Sequence, residues 1–415
     1  MDKKDRNKSK KILNRRQFVS GLGTAALSTF MISKAALVWG TQANSKIKLG
    51  LIGCGGRGTW IADLFLKHGG YELAALADYF QERVDAVGEK FNVDPSRRFT
   101  GLSSYKRLID SGVEAIAVES PPYFHPEQAA AGVDAGVHVY LAKPVAVDVP
   151  GCLSLKKSGE KASVKRLCFL VDFQTRANEY FIEALRRVHE GDLGTFAFGE
   201  SSYHDISPWQ QWYELLGREP ENPEARLKAW GLDRALSGDA ITEQNIHTLD
   251  VANWIMNTPP VYAVGTGGRK VRPDVGNCWD HFTCLFQYPN NVAITFSSRQ
   301  FNGWGSPGGI KNRMFGSKGV LETEYGGNVI IRGENFYRGG NTNQIYQEGA
   351  VNNISTFYKS VSEGVYDNPT LKPSVESNLV TILGRTAAYK GEQVYWYQVL
   401  KDTERLDPGL SGLKD

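Results

Sequence analysis

The feature that most constrains the fold of this chain is a glycine-rich stretch between two runs of different apolar spacing. The run "KIKLGLIGCG" (46–55) alternates and then becomes continuously apolar, which is typical of a buried parallel strand. The run "GRGTWIADLFLKHG" (56–69) has apolar residues at helical spacing. The pattern G-x-G-x-x-G (53–58) therefore lies where a strand is followed by a helix.

The residues of this loop have separate roles in a dinucleotide-binding site. Gly53 permits the tight turn, Gly55 lets the backbone approach a pyrophosphate, and Gly58 lets the helix pack against the strand. The N-terminus of a helix attracts anions, so Gly56 and Arg57 belong to the same predicted cofactor contact. A glycine-rich structural turn without a ligand is the alternative, and the loop by itself does not decide between the two.

An acidic residue at the end of the next strand favours the dinucleotide. The segment "YELAALAD" (71–78) is predicted to be a strand, and it ends in Asp78, twenty residues after Gly58. A carboxylate at this place suits the two hydroxyls of a ribose and repels a 2′-phosphate. The sequence therefore predicts NAD as the cofactor in preference to NADP.

Strand and helix patterns continue to alternate up to residue 173. Buried strands are predicted in "VEAIAVES" (113–120), "VHVYLAKPVA" (137–146) and "RLCFLVDF" (166–173), with helical segments between them. This alternation predicts an α/β fold class, with a doubly wound parallel sheet in a Rossmann domain over residues 46–173.

Several residues fall at the carboxyl ends of these predicted strands. Ligands of doubly wound sheets bind at that edge. Pro121, His125 and Lys143 follow strands in this way, so they are predicted to contact the cofactor.

Composition excludes several classes of protein. The 415 residues are enough for two domains and an extension, and the net charge of +3 gives no indication of nucleic-acid binding. The five cysteines are odd in number and form no CxxC pair, so neither a disulfide framework nor a zinc site is predicted. The pairs His204-Asp205 and Asp280-His281 lack a third ligand at convincing spacing, so no metal is predicted.

Residues 1–45 have the pattern of an export signal and linker. A basic stretch ends in Arg15-Arg16, and the sequence "NRRQFV" resembles a twin-arginine motif. The following run, 18–32, is too short and too weakly apolar for a stable membrane span. The sequence therefore predicts a periplasmic protein exported in the folded state, with its cofactor already bound. A disordered basic tail is the alternative.

Three stretches resemble the glucose–fructose oxidoreductase, inositol dehydrogenase and rhizopine-catabolism (Gfo/Idh/MocA) family. They are "GLIGCGGRG", "SPPYFHPEQAAAGVDAGVHVYLAKPVA" and "TEQNIHTLDVANWIM". The resemblance implies a second domain over residues 174–415, with an open, mostly antiparallel sheet for substrate binding and oligomerisation. It also implies an oxidoreductase of sugars or cyclitols that assembles into a homo-oligomer.

The same resemblance implies three catalytic residues in this chain. The family's Glu-Lys-Pro motif reads Ala142-Lys143-Pro144 in this chain, so the lysine is kept and the glutamate is lost. The family's Asp-x-x-x-His motif begins at Glu243 and ends at His247, with a longer acid at the first position. Lys143, His247 and Glu243 are the predicted catalytic residues.

Alcohol oxidation by NAD suggests a role for each of them. His247 would accept the hydroxyl proton, and Lys143 would stabilise the developing oxyanion and lower the pKa of His247. A continuous helix over residues 237–257 would place Glu243 one turn before His247, where its carboxylate orients the imidazole. A solvated acid–histidine pair, or an acid that stabilises the helix dipole, is the alternative.

Three further residues are predicted to contact the substrate. Arg176 follows a strand end, while Tyr203 and Trp209 lie in or near a predicted loop rich in aromatic residues. Aromatic rings pack on sugar faces and guanidinium groups donate to hydroxyls. Ordinary packing or solvation is the alternative for each.

Three functions remain open at this point. The first is a dehydrogenase that oxidises a ring hydroxyl of a sugar or glycoside, such as that at C3, with tightly bound NAD and an unidentified electron acceptor. The second is a glycosidase that oxidises C3 transiently, eliminates the aglycone and reduces the sugar again. Related glycosidases carry Tyr-Pro-Thr-His-Gly where this chain has Glu-Gln-Asn-Ile-His (243–247), which favours the dehydrogenase. The third is a non-catalytic sugar-binding protein.

Overall fold

The computed structural model describes residues 46–217 and 222–415. The predicted export signal, residues 1–45, lies outside the described residues. Within the described part, no helix combines the length and the apolar character that crossing a bilayer requires.

The described residues form the following helices and strands in chain order. The helices are α1 (Gly56–His68), α2 (Gln81–Phe91), α3 (Ser104–Asp110), α4 (His125–Ala135), α5 (Val149–Val164), α6 (Glu179–His189), α7 (Pro223–Lys228), α8 (Arg234–Ser237), α9 (Ala240–Glu243), α10 (Ile246–Met256), α11 (Ile345–Glu363), α12 (Leu371–Lys390) and α13 (Trp396–Val399). The strands are β1 (Ile47–Ile52), β2 (Tyr71–Asp78), β3 (Arg98–Thr100), β4 (Ala115–Val118), β5 (His138–Ala142), β6 (Phe169–Asp172), β7 (Phe196–Asp205), β8 (Tyr262–Gly268), β9 (His281–Gln287), β10 (Ala293–Gln300), β11 (Gly309–Gly316), β12 (Gly319–Glu324), β13 (Asn328–Gly333), β14 (Tyr337–Asn341) and β15 (Val394–Tyr395).

The first sheet is parallel, with strand order β3-β2-β1-β4-β5-β6. Its strands are buried on both faces, because Leu49 and Leu51 join one apolar cluster while Ile52 joins another. This is the predicted doubly wound Rossmann sheet, and the prediction of fold class is confirmed. Short strand β3 is an addition that periodicity did not predict.

The glycine loop is built for close approach of backbone to backbone. Gly53 has φ +97°, and a Cβ there would lie 2.6 Å from the backbone of Glu119. A Cβ on Gly58 would lie 1.8 Å from the carbonyl oxygen of Gly53. Both positions therefore require glycine, and α1 rests directly on the turn that follows β1.

The second sheet is mostly antiparallel, with order β14-β13-β12-β11-β7-β10-β9-β8-β15 and one parallel pair, β7 with β10. Burial alternates along β9 and β10, as expected for a sheet covered on one face. The turn between them has Asn290 and Asn291 at φ 59° and 60°, a left-handed conformation that asparagine tolerates. The predicted hairpin is confirmed.

Helix α12 packs between the two sheets and is buried along most of its length. Its polar residues have partners there: Asn378 Oδ1 accepts hydrogen bonds from the backbone N–H groups of Val145 and Ala146, at 2.9 and 3.3 Å. These bonds fix the turn that follows β5, which begins with Lys143.

The segment predicted as one helix over residues 237–257 is two helices. Asp239 accepts the N–H of Ala240 and starts the short helix α9, which ends at Glu243. Helix α10 begins at Ile246. Glu243 and His247 therefore lie on two different helices, and the predicted stacking of the two on consecutive turns of one helix is wrong.

Candidate active site

A cleft crosses the carboxyl edge of the parallel sheet and consists of two adjoining cavities. The Asp78 cavity is lined by the glycine loop, Asp78, Arg83 and Pro121. The Lys143 cavity, of about 840 Å³, is lined by Lys143 and His247. The two cavities have Glu119, Ser120 and Trp230 in common, so they form one elongated space.

The Asp78 cavity fits the adenosine and pyrophosphate part of a dinucleotide. Helix α1 begins after Gly55 without a side-chain cap, and a Cβ on Gly56 would meet no atom within 4 Å. The first N–H groups of α1 are therefore open to an anion. Asp78 accepts one backbone N–H on each carboxylate oxygen, from Cys54 at 2.7 Å and from Phe80 at 2.9 Å. Further lone pairs remain for ribose hydroxyls.

Lys143 is held at the base of the second cavity. Its Nζ donates to the backbone carbonyl of Glu243 at 2.5 Å and to Oε1 of the same residue at 3.0 Å. The lysine side chain is only 8% exposed, so the ion pair is shielded from water. An ammonium has three donors, which leaves one N–H for a ligand in the cavity.

Glu243 contacts Lys143 and not His247. The proposed orientation of the imidazole by this carboxylate is therefore wrong, because the carboxylate neutralises the ammonium instead. His247 makes no side-chain hydrogen bond within the described residues, and its ring lies 5.2 Å from that of Tyr325 between centroids. Glu243 thus positions Lys143.

The imidazole of His247 is held in its neutral form. Burial lowers its pKa well below the ordinary value, and the charges of Lys143 and Arg57 lower it further. The predicted effect of Lys143 on His247 agrees with this arrangement. A neutral imidazole without a partner is able to accept a proton from a ligand.

Arg57 has two acidic partners within the protein. Its Nε lies 2.9 Å from Oε2 of Glu119, and its Nη2 forms an ion pair with Asp172. A third contact joins Nη1 to the hydroxyl of Tyr346 at 3.1 Å. The guanidinium lines the Lys143 cavity, and Glu119 and Asp172 compensate its charge. The contact of Arg57 with the cofactor stays a prediction.

His125 is a structural residue of the cleft. Its ring nitrogens lie 2.8 Å from the carbonyl oxygen of Pro144 and 2.7 Å from that of Ser120. Neither nitrogen is left for a cofactor, so the predicted direct contact is wrong. The ring instead ties the end of β4 to the turn that carries Lys143. Pro121 lines the Asp78 cavity, as predicted from its place after β4.

Arg176 lies outside the cleft. Its guanidinium forms hydrogen bonds of 2.9 to 3.0 Å with the fully buried carboxylate of Asp250 and packs over the ring of Trp254. Asp250 also accepts the hydroxyl of Ser377 at 2.7 Å. Two charges buried together satisfy each other, so the prediction that Arg176 binds substrate is wrong.

Tyr203 and Trp209 both line the Lys143 cavity. The Tyr203 hydroxyl donates to Oε1 of Gln244 at 3.2 Å, and Gln300 donates to the same oxygen at 3.3 Å. Trp209 packs edge-on against Trp230 with ring centroids 5.6 Å apart. The cavity therefore combines polar groups at its base with aromatic rings nearby, a lining that suits a polyhydroxylated ring.

The sequence interpretation missed Glu119, Asp172 and Arg83. Glu119 directly follows β4, and Asp172 is the last residue of β6. An acidic residue that ends a buried parallel strand was an available signal, since Asp78 was identified by that rule. Arg83 lies on α2 and not at the end of a strand, so the rule of strand ends does not identify it, although it lines the Asp78 cavity.

The described residues contain no group of three or more His, Cys, Asp or Glu side chains arranged to hold a metal ion. His281 Nδ1 instead lies 2.6 Å from Asp280 Oδ1, and His204 Nε2 lies 3.0 Å from the hydroxyl of Ser297. All five cysteines are buried and free.

Fold and cleft together define an NAD-binding oxidoreductase of two domains. Two family models match the chain, one described as "Oxidoreductase family, NAD-binding Rossmann fold" over residues 47–169 and one described as "GFO/IDH/MocA C-terminal domain" over residues 181–322. Together they span more than half of the sequence, and the chain belongs to the Gfo/Idh/MocA family of oxidoreductases. The predictions of family and cofactor are confirmed.

Curated relatives agree with this membership, and a solved structure shares the fold. The myo-inositol dehydrogenase Hyg17 of Streptomyces leeuwenhoekii is 25% identical over 66% of this chain and 75% of its own length. A glycosyl hydrolase family 109 protein of Saccharopolyspora erythraea is 28% identical over 45% of this chain and 43% of its own length. A levoglucosan dehydrogenase solved with NADH and levoglucosan has the same fold, with a TM-score of 0.66 and 16% identity over 85% of this chain and 99% of its own.

Proposed function

We propose that this protein is an NAD-dependent dehydrogenase that oxidises a ring hydroxyl of a sugar or glycoside, such as the hydroxyl at C3. One observation carries the proposal: Lys143 from the first domain and His247 from the second line the same cavity, which continues into the Asp78 cavity. The names of the relatives, an inositol dehydrogenase and a levoglucosan dehydrogenase, support a polyhydroxylated ring as substrate.

The residues of the Lys143 cavity divide the chemistry between them. Bound NAD⁺ supplies the hydride acceptor. Lys143 donates its remaining N–H to the reacting hydroxyl and stabilises the negative charge that develops on that oxygen. The neutral imidazole of His247 accepts the hydroxyl proton. Glu243 holds the ammonium in place, and Trp209 and Trp230 exclude water and pack on the sugar.

The function is tested by incubating the purified protein with p-nitrophenyl glycosides and an artificial electron acceptor. A dehydrogenase reduces the acceptor and produces a keto-sugar. If no tested sugar leads to reduction of the acceptor and no nitrophenol is released, only a binding protein remains and the proposal is refuted.

Substitution Lys143→Met tests the assignment of the ammonium. We expect turnover to fall by at least about a hundredfold, since the developing oxyanion loses its positive partner. NAD⁺ affinity should change little, because the Asp78 cavity is untouched. Lys67→Met, the same change at a lysine of α1 whose side chain is 70% exposed, serves as the matched control. Activity within a factor of two of the unaltered protein in Lys143→Met would refute the assignment.

A redox-neutral glycosidase is the second candidate, because the glycosyl hydrolase family 109 relative matches 45% of this chain. In that case the same two residues would serve both a transient oxidation and the later reduction. Release of nitrophenol without any consumption of the acceptor distinguishes this activity from a dehydrogenase.

We further propose that the protein is exported to the periplasm in folded form and assembles into a homo-oligomer. Export is supported by the Arg15-Arg16 motif. Assembly through the open sheet is supported by Phe198 and Phe315, whose rings stack at 4.6 Å, while Phe198 remains 45% exposed. Cell fractionation and light scattering measure the two properties.

A further inference from the structure

A cluster of three charged side chains contributes to the wall of the Lys143 cavity through Arg57 and Glu119. Arg57 pairs with Glu119 at 2.9 Å and with Asp172. The side chains of both acids have no exposed surface, while that of Arg57 is 26% exposed. One guanidinium thus faces two carboxylates, and the cluster carries a net negative charge when both acids are ionised.

The two carboxylates are compensated unequally. Asp172 also accepts hydrogen bonds from Gln174 at 3.1 Å and from Asn353 at 2.7 Å. The Glu119 carboxylate accepts no hydrogen bond from the described residues, and its one ion pair there is with Arg57. Its negative charge is therefore the least satisfied of the cluster.

The position of Glu119 relates this charge to the reaction. The residue directly follows β4 and belongs to the wall common to the two cavities. Arg57 is near enough to influence the titration of His247, and Lys143 is near enough to influence that of Glu119. Lys143 is itself neutralised by Glu243, so it does not cancel the charge of the cluster.

We infer that Glu119 is the counter-charge of the nicotinamide ring, so that the Arg57–Glu119–Asp172 cluster favours bound NAD⁺ over bound NADH. The inference rests on the proposed function, since it requires the ring to occupy the Lys143 cavity. The ring is positively charged only when oxidised, and a carboxylate sealed from water interacts with it strongly. A tenfold preference corresponds to about 30 mV in the potential of this two-electron couple.

The preference should depend on pH because burial raises the pKa of Glu119 to about 7. The groups that face this carboxylate are Arg57 from α1, Asp172 from β6, and Tyr140 and Lys143 from β5 and the turn after it. Above its pKa the carboxylate is ionised and favours the cationic ring. The preference for NAD⁺ should therefore grow as the pH rises from 6 to 8.

The test is calorimetric titration of nucleotide-free protein with NAD⁺ and with NADH. Substitution Glu119→Gln keeps the shape and removes the charge, and we expect the ratio of the two dissociation constants to move toward NADH by about tenfold or more. Glu127→Gln is the matched control, because Glu127 is an exposed acid on the neighbouring helix α4. This control should leave the ratio unchanged.

The outcomes separate this inference from the proposed function. An unchanged ratio in Glu119→Gln, with both nucleotides bound, overturns the role of Glu119 alone. Binding of neither nucleotide by the unaltered protein overturns the proposed function. If Glu119→Gln does not fold, the unaltered protein decides the matter: a ratio that is constant between pH 6 and 8 overturns the inference, and a rising preference for NAD⁺ supports it.

Discussion

At the scale of single residues, the site is organised by which charges neutralise each other. Glu243 neutralises Lys143, and Asp250, which was not a candidate from the sequence, neutralises Arg176. His247 is left without a charged partner. A buried imidazole flanked by positive groups remains neutral, which is the state a proton acceptor requires.

The neutral state of His247 is open to direct measurement. Since its pKa lies well below 6.5, the imidazole should remain unprotonated as the pH falls from 8 to 6. Protonation of His247 should therefore cause no decline in the rate of sugar oxidation over this range. Nitrogen-15 NMR of the histidine rings measures the protonation directly. In Lys143→Met the pKa of His247 should move upward. A ring that is protonated at pH 6.5 in the unaltered protein contradicts this assignment.

At the scale of elements, the strands were predictable and the break in the long helix was not. Strand β2 has the bounds that its apolar run predicted, because a strand buried on both faces needs a continuous apolar sequence. The segment 237–257 satisfies helical spacing throughout. At its interruption between Glu243 and Ile246, the Glu243 carbonyl accepts from Lys143 and Gln244 accepts from Tyr203 of β7. Spacing does not encode such contacts.

The junction of β1 and α1 provides a test of element packing. Gly58→Ala would place a methyl group 1.8 Å from the Gly53 carbonyl oxygen, so we expect the free energy of unfolding to fall by about 1–3 kcal/mol or more. Gly56→Ala, in the same turn with no atom within 4 Å of the added carbon, is the matched control. Denaturant unfolding without nucleotide measures both. Equal stability of the two variants would show that the helix does not rest on the loop as described.

At the scale of the whole molecule, the C-terminal segment contributes to the cofactor cleft. Leu410 and Leu413 pack in an apolar cluster with Phe80 and Leu102, which also line the Asp78 cavity. The backbone carbonyl of Lys414 accepts the N–H of Leu102 at 3.0 Å. The end of the chain therefore supports one wall of a cavity formed mainly by residues some three hundred positions earlier.

Substitution Leu413→Ser tests this support. We expect NAD⁺ to dissociate several times faster and the free energy of unfolding to fall by about 1–2 kcal/mol, since a half-buried apolar side chain is lost. Leu400→Ser is the matched control, because Leu400 is 40% exposed and precedes the packed segment. Stopped-flow fluorescence measures the dissociation. If the two variants release NAD⁺ at the same rate, the tail does not support the cavity.

The sequence by itself determined the Rossmann domain, the glycine loop, Asp78, and the pair Lys143 and His247. These features depend on local period, on glycine stereochemistry and on short motifs. Only the tertiary structure decided that Glu243 serves Lys143, that Arg57 and Arg176 are neutralised inside the protein, and that Glu119 lies beside the reaction cavity. The reason is that charge pairing depends on distance in space, and residues such as Lys143 and Glu243, a hundred positions apart, meet only in the folded chain.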